Sequence, residues 1–260
     1  MLLLVDAGNT RVKWAVPENA SGGLGRWAHS GLVEHAQLDR LVDEWRGLGI
    51  TRALLSNVAG AVMRERLQQM LTEATALPPQ ALHWFASVPE AGGVRNQYRN
   101  PAQLGCDRFA SAIGAHALFP GEALIVATCG TATTVDAVTA DGVFLGGMIL
   151  PGLGLMASSL AKNTAQLPQI AQDLLVSQPF ADHTDAAIAS GCIAAQAGAI
   201  ERAVQALSKR QAPAEQVRCV LSGGAAALIA PHLSVPHQRI DNLVLIGLQA
   251  FALTSSNSSC

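Results

Sequence analysis

Leu2-Leu3-Leu4-Val5-Asp6-Ala7-Gly8-Asn9-Thr10-Arg11-Val12-Lys13-Trp14 is a leucine-rich run, a tight polar turn and a second strand-like run. A similar pattern returns at Leu124-Ile125-Val126-Ala127-Thr128-Cys129-Gly130-Thr131-Ala132-Thr133-Thr134-Val135-Asp136. Each turn holds a Gly, which tolerates φ > 0 and lets the backbone approach a ligand closely. Exposed amides and Thr hydroxyls beside it can donate hydrogen bonds to phosphate oxygens. Two such hairpins in one chain predict two lobes that grip one polyphosphate from opposite sides. That points to a nucleotide-dependent phosphotransferase.

Working outward, the first half reads as α/β. Strands are predicted at 2–6, 12–16 and 26–33, then a helix over 36–46 with Leu38, Leu41, Val42 and Trp45 on one face. A strand at 51–58, a helix over 60–75 closed by Pro78-Pro79, and a short strand at 81–85 follow. Residues 86–104 are rich in Pro, Gly, Asn and Gln and read as a long loop, of the kind that tends to carry function. Helix returns at 103–118. The second half opens with strands at 122–128, 132–138 and 143–150, in the same order as the first. Pro151-Gly152-Leu153-Gly154 leads into a helix to Lys162, and 184–210 is a long Ala-rich helix broken by Gly191 and Gly198. A strand at 217–221 opens into Ser222-Gly223-Gly224, with further helix, a strand near 235–238 and a last helix from Asn242. The repeated order implies duplication of one unit, with a lobe boundary near 115–121.

With 260 residues, 50% of them hydrophobic and 14% charged, the chain has ample material for a core. A formal charge of −2 without an extended basic run argues against a nucleic-acid binder. No apolar stretch is long enough to span a bilayer, and Met1 leads straight into a β-type run without a basic signal region. Cys106, Cys129, Cys192, Cys219 and Cys260 lack C-x-x-C spacing, which points to free thiols in a reduced, cytoplasmic setting.

Phosphoryl transfer needs a divalent metal to screen the phosphates, and Mg²⁺ is held through one or two carboxylates plus water. Asp6, at a strand end before the first turn, is placed for that role. An Asp there is also an ordinary turn initiator; the company of Asn9, Thr10, Arg11 and Lys13, with the second turn, favours the functional reading. Lys13 either approaches a phosphate or is the outward residue of an alternating strand. Gly105-Cys106-Asp107-Arg108 opens the helix after the long loop, where a carboxylate could accept the proton of an attacking hydroxyl and an Arg could grip an anion. The plainer alternative is an Asp favoured by the helix dipole, with Arg108 as its surface neighbour. Ser222-Gly223-Gly224 could pass along an adenosine or be a simple connection. His116 and His183 read as structural or surface residues, and no P-loop is present.

Taken together, Asp6-x-Gly8-Asn9-Thr10, Gly105-x-Asp107-Arg108 and Gly130-Thr131-Ala132-Thr133-Thr134-x-Asp136 resemble, in order and spacing, the motifs of the type III pantothenate kinases. The resemblance runs from Leu2 to about Gly247. It implies the duplicated ribonuclease-H-like (actin-like ATPase) fold of the acetate and sugar kinase/heat-shock protein/actin superfamily, with lobes at 1–117 and 118–260 around a nucleotide cleft. It also implies a cytoplasmic homodimer that uses Mg²⁺ and ATP to phosphorylate pantothenate, the first step of coenzyme A biosynthesis. On the same basis Asp6, Ala7, Gly8, Asn9, Thr10, Arg11, Val12 and Lys13 correspond to the first ATP-binding motif, with Asp6 toward the metal. Thr131 corresponds to an ATP-contacting Thr. Tyr98, Gly105, Cys106, Asp107, Arg108 and Thr184 correspond to substrate-binding positions, with Asp107 as the catalytic proton acceptor and Arg108 toward the pantothenate carboxylate. Many relatives bind a monovalent cation, K⁺ or NH₄⁺, through an Asp where this chain has Thr128, so cation dependence is expected to be weak. The rivals are a sugar or carboxylate kinase of the same superfamily and a non-catalytic nucleotide-binding regulator. Retention of both Asp6 and Asp107 argues against the regulator.

Overall fold

Strand β1 (Leu2–Ala7) is the centre of a sheet in which β2 (Arg11–Pro17) and β3 (Trp27–Glu34) continue antiparallel on one side. On the other side β4 (Arg52–Asn57) and β5 (Leu82–Trp84) run parallel to it, giving the order β3-β2-β1-β4-β5. These coordinates are a computed structural model, and they describe residues 1–18, 23–170, 178–210 and 216–257. The side chains of Leu3, Val5 and Ala7 alternate onto one face and join a core with α1 (Arg40–Trp45) and α2 (Ala61–Thr75). Fully burying a leucine in such a core contributes roughly 1.5–3 kcal/mol. Leu4 and Asp6 therefore face the other way.

Two short strands, β6 (Glu90–Ala91) and β7 (Val94–Asn96), form a hairpin inside the stretch expected to be loop. Gly92 and Gly93, both at positive φ, make its turn. Helix α3 (Cys106–Leu118) follows. Further differences are local: 36–46 is a 3₁₀ turn at His35–Gln37 followed by α1, although Leu38, Leu41, Val42 and Trp45 are all buried as the periodicity predicts.

The second half repeats the plan. At its centre β8 (Ala123–Cys129) is antiparallel to β9 (Ala132–Val138), which is antiparallel to β10 (Val143–Pro151). After α4 (Leu153–Asn163) and α5 (Thr184–Ser208), strand β11 (Val217–Ser222) pairs parallel with β8. Beyond the short α6 (Ala226–Ile229), β12 (His237–Arg239) pairs parallel with β11. Reading β8 to β12 as a second set of five, the strand order and directions match those of the first sheet. This is the duplicated ribonuclease-H-like arrangement.

By contacts the chain divides into Met1–Pro120 with Asn242–Cys260, and Gly121–Asp241. The last helix, α7 (Leu243–Asn257), thus groups with the first unit rather than with the half that precedes it. Residues Leu243 to Ala250 are all buried, and Gln249 within them accepts the Gly25 N–H at 2.9 Å. Packing of α7 on α3 is close enough to exclude side chains. A Cβ on Gly247 would lie 1.8 Å from the Ala110 carbonyl oxygen, and one on Gly114 2.7 Å from that of Leu243. Gly247→Ala must therefore push the two helices apart, at a cost of about 1–3 kcal/mol. Thermal denaturation is expected to show a Tm several degrees below wild type; an unchanged Tm would contradict backbone contact between α3 and α7.

Candidate functional site

The register of β1 decides what surrounds Asp6. It pairs with Lys13 on β2 and with Ser56 on β4, so the three side chains form a row on the face away from α1 and α2. Burial, the main cause, and the negative charge of Asp107 push the Asp6 carboxyl up to about 7, while Lys13 opposes the shift. Asp107 is itself raised by burial, against the stabilising Arg108 N–H and guanidinium. Two carboxylates from sequence-distant segments are thus held near each other in one unit.

The turn after Asp6 is closed by the Gly8 N–H, which donates to the Arg11 carbonyl at 3.1 Å. Ala7 and Val12 are fully buried and anchor the turn, leaving Asn9, Thr10 and Arg11 exposed at its tip and Lys13 half-buried. Arg11 is 3.7 Å from Glu34 across β2 and β3. The second unit has a turn one residue shorter at the same place: the Gly130 N–H donates to the Ala132 carbonyl at 3.0 Å and Thr131 is exposed at the tip. There the row equivalent to Lys13–Asp6–Ser56 is Thr134–Thr128–Ser222. Charge has been replaced by hydroxyls, and among the described residues the buried Thr134 Oγ1 has no hydrogen-bond partner.

The start of α3 is built around small and buried groups. Gly105 leaves room for Asp107, since a Cβ there would meet Asp107 Oδ1 at 2.7 Å. That oxygen accepts the Arg108 N–H at 2.8 Å. Arg108 is buried, its Nη1 donates to the Tyr98 hydroxyl at 2.9 Å, and its guanidinium lies 5.7 Å from the Tyr98 ring centre. Tyr98 is held in turn by Asn96, whose side chain accepts the Tyr98 N–H at 3.0 Å and donates to the Pro101 carbonyl at 3.2 Å. Cys106 Sγ lies 3.3 Å from Ser56 Oγ, which joins the start of α3 to the strand beside Asp6. Burial raises the Cys106 thiol above its ordinary range.

One unit therefore collects Asp6, Lys13, Tyr98, Cys106, Asp107 and Arg108, while Thr131 and Thr184 belong to the other. Thr184 is the exposed first residue of α5. Ser222-Gly223-Gly224 is tucked against the end of β8: the Ala225 N–H donates to the Cys129 carbonyl at 3.0 Å, and Gly223 has φ 92°. Ser56 and Asn96 were not expected. Each is a single polar residue at a strand end, and only contacts to distant segments give it a part in the site.

Among the described residues no group of three or more His, Cys, Asp or Glu converges as a ready-made metal cage. The donor set suits Mg²⁺, which takes one or two carboxylates, keeps several waters and completes its shell with phosphate oxygens. A cation would also relieve the repulsion between Asp6 and Asp107. No described helix is long and apolar enough to cross a membrane.

Comparison with known proteins agrees with this geometry. A sequence model of the type III pantothenate kinase family matches residues 2–206. The type III pantothenate kinase of Janthinobacterium sp. (strain Marseille) is 61% identical over 258 residues, covering 98% of this chain and 99% of that one. The enzyme of the same name from Herminiimonas arsenicoxydans is 60% identical over 255 residues, covering 97% and 98%. Among solved structures, a protein from Sinorhizobium meliloti assigned as a 2-dehydro-3-deoxygalactonokinase shares the fold, with a TM-score of 0.57, 14% identity and 99% of each chain covered. Matched by the family model over most of its length and aligned end to end with close relatives, this chain belongs to the type III pantothenate kinase family.

Proposed function

We infer that the chain transfers the γ-phosphoryl group of ATP to the primary hydroxyl of pantothenate, the first step of coenzyme A biosynthesis. Within the family, the observation that carries the residue assignments is the approach of Asp107 to Asp6 on a face that also holds Lys13. Asp107 accepts the hydroxyl proton as the oxygen attacks the γ-phosphorus and ADP leaves. Its raised pKa makes it a stronger base than an ordinary surface carboxylate. Arg108, anchored by Tyr98, meets the pantothenate carboxylate and fixes the acceptor's orientation. Thr184 adds a hydroxyl contact to the acceptor. The amides and hydroxyls of the turns at Gly8-Asn9-Thr10 and Gly130-Thr131 hold the phosphates, with Lys13 near the first. Asp6 would hold Mg²⁺, which would supply positive charge to screen the phosphate oxygens. The protein works in the cytoplasm as a homodimer.

The direct test is mass spectrometry of a reaction with ATP, Mg²⁺ and pantothenate, which should yield a product heavier by one phosphoryl group. Turnover on a sugar or a small acid instead would move the protein to another kinase of the superfamily. Asp107→Asn keeps the shape but removes the proton acceptor, so kcat should fall by about 10²–10⁴-fold with nucleotide affinity little changed. A near-wild-type kcat would reduce Asp107 to a first-turn helix residue.

Acceptor recognition is tested separately. Arg108→Ala should raise the KM for pantothenate by about 10- to 100-fold and leave that for ATP much less affected. Tyr98→Phe removes only the hydroxyl that Arg108 donates to and should raise it less, by about two- to tenfold. A larger effect on ATP in either variant would put Arg108 on the phosphates.

With neutral Thr128 beside the second turn there is less repulsion of ATP for a K⁺ or NH₄⁺ ion to offset. Activity at constant ionic strength should differ little between K⁺, NH₄⁺, Na⁺ and a Tris buffer without them. Thr128→Asp should create a K⁺ requirement. Strong selective activation of the wild type by K⁺ would contradict this reading.

A further inference from the structure

His35, which no motif singles out, touches the first turn twice. Its backbone N–H donates to the Thr10 carbonyl at 3.4 Å, and its ring Nε2 lies 2.9 Å from the Gly8 carbonyl oxygen. A carbonyl oxygen only accepts, so this geometry requires Nε2 to carry the proton. We propose that His35 is a positioning residue for nucleotide binding, which acts by fixing the peptide between Gly8 and Asn9; this rests on the reading of that turn as phosphate-binding. A trans peptide is planar, with its C=O and N–H pointing in opposite directions. Holding the Gly8 carbonyl toward the His35 ring therefore aims the Asn9 N–H away from it. Among the described residues that N–H donates to no protein acceptor, and Asn9 is exposed at the tip of the turn. It is a donor left over for a ligand anion.

The duplication supplies an independent check. Arg11 pairs with Glu34 at the end of β3, and Ala132 pairs with Pro151 at the end of β10, so His35 and Gly152 occupy equivalent positions. The Gly152 N–H donates to the Thr131 carbonyl at 2.9 Å, just as that of His35 donates to Thr10. In the second unit the backbone itself closes on the turn: a Cβ on Gly152 would lie 2.1 Å from the Gly130 carbonyl oxygen. In the first unit the corresponding carbonyl, that of Gly8, is reached by the imidazole. The two halves thus secure equivalent turns by different means, a side-chain hydrogen bond in one and direct backbone packing in the other.

The test compares wild type with His35→Leu, which fills similar space without a donor, and His35→Gln, which restores one. Binding of a nonhydrolysable ATP analogue with Mg²⁺ is measured by calorimetry without pantothenate, and KM and kcat from ADP release. His35→Leu should weaken analogue binding and raise the KM for ATP by about three- to tenfold, the range of one net hydrogen bond, with kcat and the pantothenate KM nearly unchanged. His35→Gln should recover most of the loss. Wild-type affinity in His35→Leu, or a fall in kcat with no change in nucleotide affinity, would overturn the proposal. Should the wild type bind the analogue but fail to phosphorylate pantothenate, the function assigned above fails, while the affinity of His35→Leu still decides the role of His35. Should His35→Leu not fold, ¹⁵N NMR of the wild-type ring decides: the proposal requires the proton on Nε2, and a neutral ring protonated on Nδ1 overturns it.

Discussion

Asp6 and Asp107 carry like charge when ionised, lie about a hundred residues apart in sequence and are brought near each other by the packing of α3 against β4, the strand beside β1, and against α7. Such an arrangement costs free energy in the absence of a counter-charge, and burial of both carboxyls increases that cost. Lys13 offsets part of it at Asp6, and Arg108 part of it at Asp107. The remainder is what a magnesium–nucleotide complex is suited to relieve. A few contacts of the first unit seat α3 in the position that brings Asp107 to Asp6. Ser56 bridges from the strand beside Asp6 to Cys106 at the start of α3, and Gly105 clears the space that Asp107 occupies. At the far end of α3, the Gly114–Gly247 contact seats the helix on α7.

The duplication explains how one scaffold supplies two different environments. Both units place a central strand between an antiparallel and a parallel neighbour and end it in a Gly turn. At the matching row the first unit has Lys13, Asp6 and Ser56, and the second has Thr134, Thr128 and Ser222. The first row suits a metal and its charge; the second offers only neutral donors and acceptors. His35 and Gly152 extend the same divergence to the residues that brace the turns.

What could be read from the sequence follows physical scale. The two hairpins, the long helices α2, α3 and α5, and the repeated strand order were legible because each leaves a run of several residues with a clear period and a Gly or Pro at its end. The β6–β7 hairpin was not, since strands of two and three residues are too short to show alternation, although Gly92-Gly93 marked its turn. Helix α7 was legible as a helix, but not its place. Buried on all sides from Leu243 to Ala250, it has no apolar stripe to indicate which unit it joins. In the site, Asp6, Asp107 and Arg108 stood out by motif, whereas Ser56, Asn96 and His35 owe their parts to contacts with segments far along the chain or to the geometry of a neighbouring turn.

On the reading proposed above, the carboxylate apposition serves phosphoryl transfer to pantothenate, with Asp6 on the donor side and Asp107 on the acceptor side. A crystal structure of the complex with Mg²⁺, a nonhydrolysable ATP analogue and pantothenate tests it most directly. An Asp107 carboxylate oxygen is expected within hydrogen-bond reach, about 2.6–3.2 Å, of the pantothenate primary hydroxyl, and Asp6 at the metal or one of its waters. A complex in which that hydroxyl faces another base, or in which Asp107 turns away from the acceptor, would contradict it.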